Sequence, residues 1–283
     1  SVVIMENVPN LIKAKTENKE YVIAIIKKEL EKLGYNVNYA ILDATNYGVP
    51  QIRKRLVIIG SLKNIKEYFP KPTHTSDSWS GNLFSEEGLK MCPTLWEAIS
   101  DLPQIQACEG EEVMDYDQCA QNDYQASLRE NSNSIFNHTA MNHSHRMVER
   151  FAAMKCGDST EDVPDEFKPL KRNGNGERSE KVYGQNNRRM YPDKPCHTIA
   201  ASFYANFVHP YLNRNFTPRE GARIQSFPDW YRFLGKPTTP SKSLLKKEGR
   251  LDDIHLCQYN QIGNAVPPLL SKAIASHLYK ELC

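Results

Sequence analysis

Residues 2–5, VVIM, form an apolar run that stops at ENVPN, where Asn and Pro favour a turn, so a strand opens the sequence. Residues 18–33, NKEYVIAIIKKELEKL, put Val22, Ile25, Ile26 and Leu30 on one face and lysines and glutamates on the other. That spacing predicts an amphipathic helix, with Gly34 where a left-handed cap is wanted. YNVNYAILDA then reads as a strand, YGVPQIRK as a loop and RLVIIG as a strongly apolar strand, an order that predicts an α/β sheet. A doubly wound sheet normally contains several more strands and covering helices. Residues 1–73 are therefore expected either to pack against an N-terminal half, cleaved away or carried by a second polypeptide, or to close on the C-terminal segment alone.

The 283 residues suffice for one large domain or for a core with a second domain. A formal charge of +2 says little about nucleic acid, so any DNA-binding argument rests on local charge. The seven cysteines are scattered with no CxxC spacing, a pattern of reduced thiols in an intracellular protein, cytoplasmic in a prokaryote or nuclear in a eukaryote. No apolar stretch approaches the roughly 20 residues of a membrane span, and no membrane partner is expected.

Toward the C-terminus, Thr217, Pro218 and Glu220 spell a capping box, with Pro at the first helical position. Ala222, Ile224 and Phe227 read as packing residues. QIGNAVPPLLSKAIASHLYKEL has a Gly-Asn turn followed by a helix offering Leu269, Ile274 and Leu278 for burial. From about residue 74 to 205 the chain is polar and irregular. Its stretch 168–195 concentrates Lys168, Lys171, Arg172, Arg178, Lys181, Arg188 and Arg189, suited to phosphates but equally to a solvated loop. His138, His143 and His145 are locally dense, yet no cysteine or carboxylate completes a zinc pattern, so no metal is expected.

Four elements in order resemble the DNA cytosine-5 methyltransferases: ENVPN, PQIRKR at 50–55, TPREGARIQSFPDWYRF at 217–233 and QIGNAVPPLLSKAI at 261–274. PTLWEAISDLP, DKPCHTIAASF and HPYLNR resemble the entry to and exit from that family's recognition domain. Two family elements that precede ENV, a Gly-rich FxGxG segment and the Pro-Cys motif of the nucleophile, are not found. Cys196, although preceded by proline, sits in the resembled recognition-domain exit and reads as a packing thiol.

The resemblance implies a partial class I S-adenosylmethionine-dependent methyltransferase fold of α/β class, with an inserted mixed, irregular target-recognition domain. The expected boundaries are 1–73 for part of the catalytic domain, 74–205 for target recognition, and 206–283 for the exit and a helix returning to the catalytic domain. It implies a cytosine flipped from double-stranded DNA. A thiolate attacks C6, and a carboxylic acid at N3 meets the developing charge. By resemblance Glu6 is that acid, Arg55 reaches the cytosine O2, and Arg53 supports the site, with Asn7, Pro9 and Gln51 shaping it. Asn264, Ala265 and Val266 are implied to line part of the S-adenosylmethionine pocket. Arg172, Arg188, Arg189 and Thr198 are the expected DNA contacts, and Arg219, Arg223 and Gln225 chiefly organise the recognition domain. A DNA-recognition subunit or an inactive fragment remains the alternative, with RNA methylation a weaker one.

Overall fold

The computed structural model describes residues 1–76, 88–171, 177, 186–238, 242–252 and 257–283, with 242–244 by backbone only. It comprises two compact units, one formed by Ser1–Cys92 with Val266–Cys283 and the other by Pro93–Ala265.

The first unit contains β1 (Val2–Asn7), α1 (Val22–Lys32), β2 (Asn36–Asp43), β3 (Lys54–Ser61) and the short pair β4 (His74–Thr75) and β5 (Lys90–Met91). β3 lies between β1 and β2 and runs antiparallel to both. Its sequence explains the central place: Leu56 to Ile59 are buried on both sheet faces, as a strand covered on both sides requires. Leu56 and Ile58 pack with Val37 and Ile23 on the side covered by α1. Val57 and Ile59 pack with Leu42, Leu270, Ile274 and Leu278 on the other. The last three belong to the C-terminal helix Pro268–Leu282, where the spacing of four keeps one stripe inward. Ile23, between the expected residues Val22 and Ile25, is the buried side chain of α1, while Gly34 takes the left-handed φ of 86° expected of its cap.

The expected boundary at residue 73 moves to Cys92. Thr73 donates its amide to the Asn46 carbonyl at 2.9 Å, β4 pairs in parallel with β5, and the Cys92 thiol donates to the Val49 carbonyl. These bonds tie residues 73–75 and 90–92 to each other and to the chain between β2 and β3. The boundary expected at 205/206 moves to 265/266, because Phe207, Phe216, Ala222, Ile224 and Ile262 share one core with Leu95, Ile99, Cys196 and Phe203.

That second unit contains α2 (Leu95–Ile99), β6 (Gly110–Met114), α3 (Asp123–Arg129), β7 (Ile135–Thr139), α4 (His145–Ala152), β8 (Arg188–Arg189), β9 (Phe207–Val208), α5 (Pro218–Ile224), α6 (Lys242–Lys247) and α7 (Gln258–Asn264). Its sheets are two-stranded, β6 with β7 antiparallel and β8 with β9 parallel. Capping boxes start α2, through Thr94 and Glu97, and α5, through Thr217 and Glu220.

With so little sheet, buried arginines collect the carbonyls. Arg219 donates to the carbonyls of Phe136, Pro228 and Tyr231, and Arg214 to those of Ile105 and Asn215. Arg223 lies between Asp229, at 2.6 and 2.7 Å, and Asp101, at 2.9 and 3.2 Å. Burial opposes the Arg223 charge, but these two carboxylates outweigh it and raise its pKa. Arg214 meets both Glu220 oxygens, at 2.7 and 2.8 Å. Burial alone raises the Glu220 carboxyl; the charge and hydrogen bonds of Arg214, with His209 and His138 behind them, bring it down to about 2.

Removing one member of such a set strands the other charge without water. Asp229→Ala is expected to destabilise the protein by about 3–5 kcal/mol in urea unfolding. Glu220 has its folded pKa below the ordinary 4.5, so its stabilisation is complete above 4.5 and lost as the pH falls through about 2. Across that window the urea midpoint of the native protein should drop more steeply than that of Glu220→Gln; parallel curves would refute the assignment.

Candidate active site and DNA-contact residues

Glu6 is the penultimate residue of β1 and pairs in register with Val57. Two residues back along β3 on the same face stands Arg55, because side chains two apart in a strand point the same way. The two meet diagonally, Arg55 Nε 2.8 Å from Glu6 Oε1, with the side chains 13% and 26% exposed. Both are thus shielded enough to interact strongly and open enough to meet a ligand. A further Arg55 donor, Nη1, reaches the Lys54 carbonyl at 2.8 Å. Burial lowers the Arg55 pKa, and the Glu6 carboxylate opposes that shift.

Arg53 is buried, and its pKa is lowered to about 10 by burial and then by the Arg55 charge, against the pull of Glu6. Its main chain is fixed: its amide donates to Asp43 Oδ1 at 3.3 Å and its carbonyl accepts from Ala44. Gln51 is wholly buried. Asn7 Oδ1 accepts the Val8 amide at 2.8 Å, and Pro9 begins the one-turn helix Pro9–Lys13 that follows the strand. The sheet therefore brings Glu6, Arg53 and Arg55 together, with Asn7 and Pro9 turning the chain beside them.

The residues of the closing motif divide between the units. Asn264 is exposed at the end of α7 and Ala265 is half-buried after it, while Val266 packs with the core beside the C-terminal helix. Gly263 is required by close approach: a Cβ there would stand 2.3 Å from the Ala200 carbonyl oxygen.

The arginines of the sequence pattern part company by burial. Arg219 and Arg223 are wholly buried in the bonds described above, and Gln225 Nε2 donates to the Ile262 carbonyl at 2.9 Å. Arg189, expected at DNA, is 5% exposed and gives its guanidinium to the carbonyls of Phe151, His209, Pro210 and Leu212 and to Asn213 Oδ1. This corrects the expectation, since a guanidinium turned inward onto four carbonyls does not face a phosphate. Its neighbour Arg188 is half-buried, with Nη1 2.7 Å from the Gly157 carbonyl, and Thr198 is exposed. Arg172 lies outside the described residues.

Cys196 is wholly buried, and burial pushes its thiol well above the ordinary range, the reverse of what an attacking thiolate needs. The three histidines take separate partners. His138 lies 2.9 Å from both Thr217 Oγ1 and the Pro103 carbonyl, His143 accepts the Asn215 amide, and His145 is exposed beside Glu149. Sequence reading missed Asp101, Asp229 and Arg214, the ionic partners of the buried set; DLP after α2, FPD after α5 and the Arg of HPYLNR were the available signals.

The model of the C-5 cytosine-specific DNA methylase family matches residues 1–280. The chain belongs to that family. It is 47% identical over 275 residues to the type II methyltransferase M.DdeI of Desulfomicrobium norvegicum, an alignment covering 97% of this chain and 62% of that protein. It is 31% identical to the type II methyltransferase M1.HphI of Haemophilus parahaemolyticus, covering 98% of this chain and 56% of the relative. The chain therefore spans about 60% of the length of these curated methylase relatives. A crystal structure described as a DNA modification methyltransferase encoded within an E. coli prophage superposes with a TM-score of 0.66 at 21% identity, over 99% of this chain and 69% of that one. The fold is that of the methyltransferases, as the resemblance of its four motifs implied.

The inward turn of Arg189 has a measurable consequence. Arg189→Met leaves buried carbonyls without a donor and should cost on the order of 1–3 kcal/mol, read as a lower thermal midpoint. The salt dependence of DNA binding should be unchanged, whereas a shallower slope would return Arg189 to the phosphate contacts.

Proposed function

We propose that this chain is the base-recognition part of a DNA cytosine-5 methyltransferase, working with a further segment or second polypeptide that carries the nucleophilic cysteine and most of the methyl-donor site. The observation that carries the reading is the Glu6–Arg55 pair at 2.8 Å, two-thirds or more shielded from water, at the end of a strand. A carboxyl so placed suits N3 of a flipped cytosine, and the guanidinium suits its O2. Arg53 behind them adds positive potential where negative charge develops on the ring during attack at C6. The second unit, Pro93–Ala265, reads duplex DNA, with Arg188 and Thr198 among its contacts.

S-adenosylmethionine supplies the methyl group when bound. Asn264 offers an exposed amide for its polar end, and Ala265 beside it adds apolar surface. The reading of a further segment rests on the greater length of the relatives and on β1, whose outer edge pairs with no strand among the described residues and exposes Ile4 and Met5. No helix among the described residues is long and apolar enough to cross a membrane, and the proposed setting is the compartment that holds the DNA.

The test is transfer of labelled methyl from S-adenosylmethionine to duplex DNA, by this chain alone and with the part of the Desulfomicrobium relative that it does not span. Transfer is expected only in the mixture, and Glu6→Gln is expected to slow it by about 10²–10⁴-fold. Cys196→Ala should transfer at the native rate. Transfer by the chain alone would refute the division of labour, and an undiminished Glu6→Gln rate would refute the role of Glu6. DNA binding with no transfer in the mixture would leave a recognition protein without catalysis.

A further inference from the structure

The segment Cys196–Ala201 has neither helix nor strand, yet it is anchored along its length. Cys196 and Ile199 are wholly buried in the core of the second unit, while His197 and Thr198 between them are exposed. Asn260 Nδ2 donates to the Ala201 carbonyl at 2.9 Å, and Gly263 admits the Ala200 carbonyl at a distance no side chain would allow. Just beyond, Phe203 is wholly buried, with its ring 4.8 Å from that of Tyr259 and against Gly221, where a Cβ would stand 2.3 Å from it. α5 and α7 thus hold a two-residue display in place. An ordered display loses little conformational entropy when a ligand binds.

Close by in the same unit stands Arg188, whose amide donates at 2.8 Å to the carbonyl of Asn206, three residues past Phe203. Burial, and then the nearby Arg188 charge, lowers the His197 pKa, which favours the uncharged ring at neutral pH. A neutral imidazole offers one donor and one acceptor, the equipment for a hydrogen bond with direction and no net charge. Arg188 is itself tethered at the Gly157 carbonyl, so the cation has a fixed place.

We propose that His197 is a sequence-reading contact, hydrogen-bonding to a base edge while the nearby Arg188 meets a backbone phosphate. The proposal deepens the preceding reading and rests on it, since it supposes that this unit faces duplex DNA. Contacts to phosphate position a protein on the helix, and contacts to base edges choose the sequence. His197 on its anchored segment and the tethered Arg188 supply one candidate of each kind.

The experiment is selection from duplexes with a randomised centre, using the complete chain alone and with the added portion of the relative, followed by titration of the selected duplex at several salt concentrations. His197→Ala should leave the urea midpoint unchanged, weaken binding to the selected duplex by about tenfold or more and relax preference at one base pair. Its salt slope should match the native one, and His197→Gln should restore part of the preference. Arg188→Ala should keep the preferred sequence and reduce the salt slope by about one. An unaltered preference in His197→Ala, with native selection intact, would overturn this inference alone, as would a lowered salt slope in that variant. Native protein that neither binds nor selects a duplex would overturn the DNA-reading function and this inference with it.

Discussion

The second unit depends on taking guanidinium groups out of water and giving every one of them a partner. Arg214, Arg219 and Arg223 are wholly buried, and burying three cations without compensation would cost far more than a domain's net stability. Asp101, Asp229 and Glu220 supply the countercharge, and irregular main chain supplies carbonyls that need donors as much as the arginines need acceptors. Each side satisfies the other, which is how a region with two-stranded ladders can still bury its backbone. Arg223 ties α5 to the end of α2 through Asp101, 122 residues away in sequence, and to the following FPD turn through Asp229, so three segments share one charge balance.

The first unit solves a different problem with ordinary means. β3 is apolar on both faces and centrally placed, so its register with β1 is fixed by burial: a slip of one residue would turn Val57 and Ile59 out of their core. That register is what sets Glu6 diagonal to Arg55. The position of the candidate acid is therefore a consequence of how its register partner Val57 and the nearby Ile59 pack, and the pair needs no local device beyond the strand period to meet.

Much of this was legible in the sequence because its signals are local. Period-two and apolar runs gave β1, β2 and β3, and Thr217 with Glu220 gave the start of α5. Burial within a helix was less legible: the helical period chose Val22, Ile25, Ile26 and Leu30 for the inward face, and the buried side chain is Ile23. The unit boundaries and the part played by Arg189 were not legible. A cationic stretch has the same composition whether its arginines face phosphates or carbonyls, and most of the bonds that hold residues 73–75 and 90–92 in the first unit are main-chain bonds, blind to side-chain type.

Adjacent arginines make that last point concretely. Arg188 and Arg189 have the same chemistry and opposite strand directions, and the alternation of β8 sends one toward the surface and the other under the chain that follows β9. A guanidinium is suited to oxygen in any form, so its task follows from which oxygens surround it: mostly carbonyls for Arg189, chiefly carboxylates for Arg223, one carboxylate and one carbonyl beside partial solvent for Arg55. Exposure then separates framework from chemistry. Arg223 has no solvent-facing surface, whereas the Arg55–Glu6 pair keeps part of its surface open to solvent.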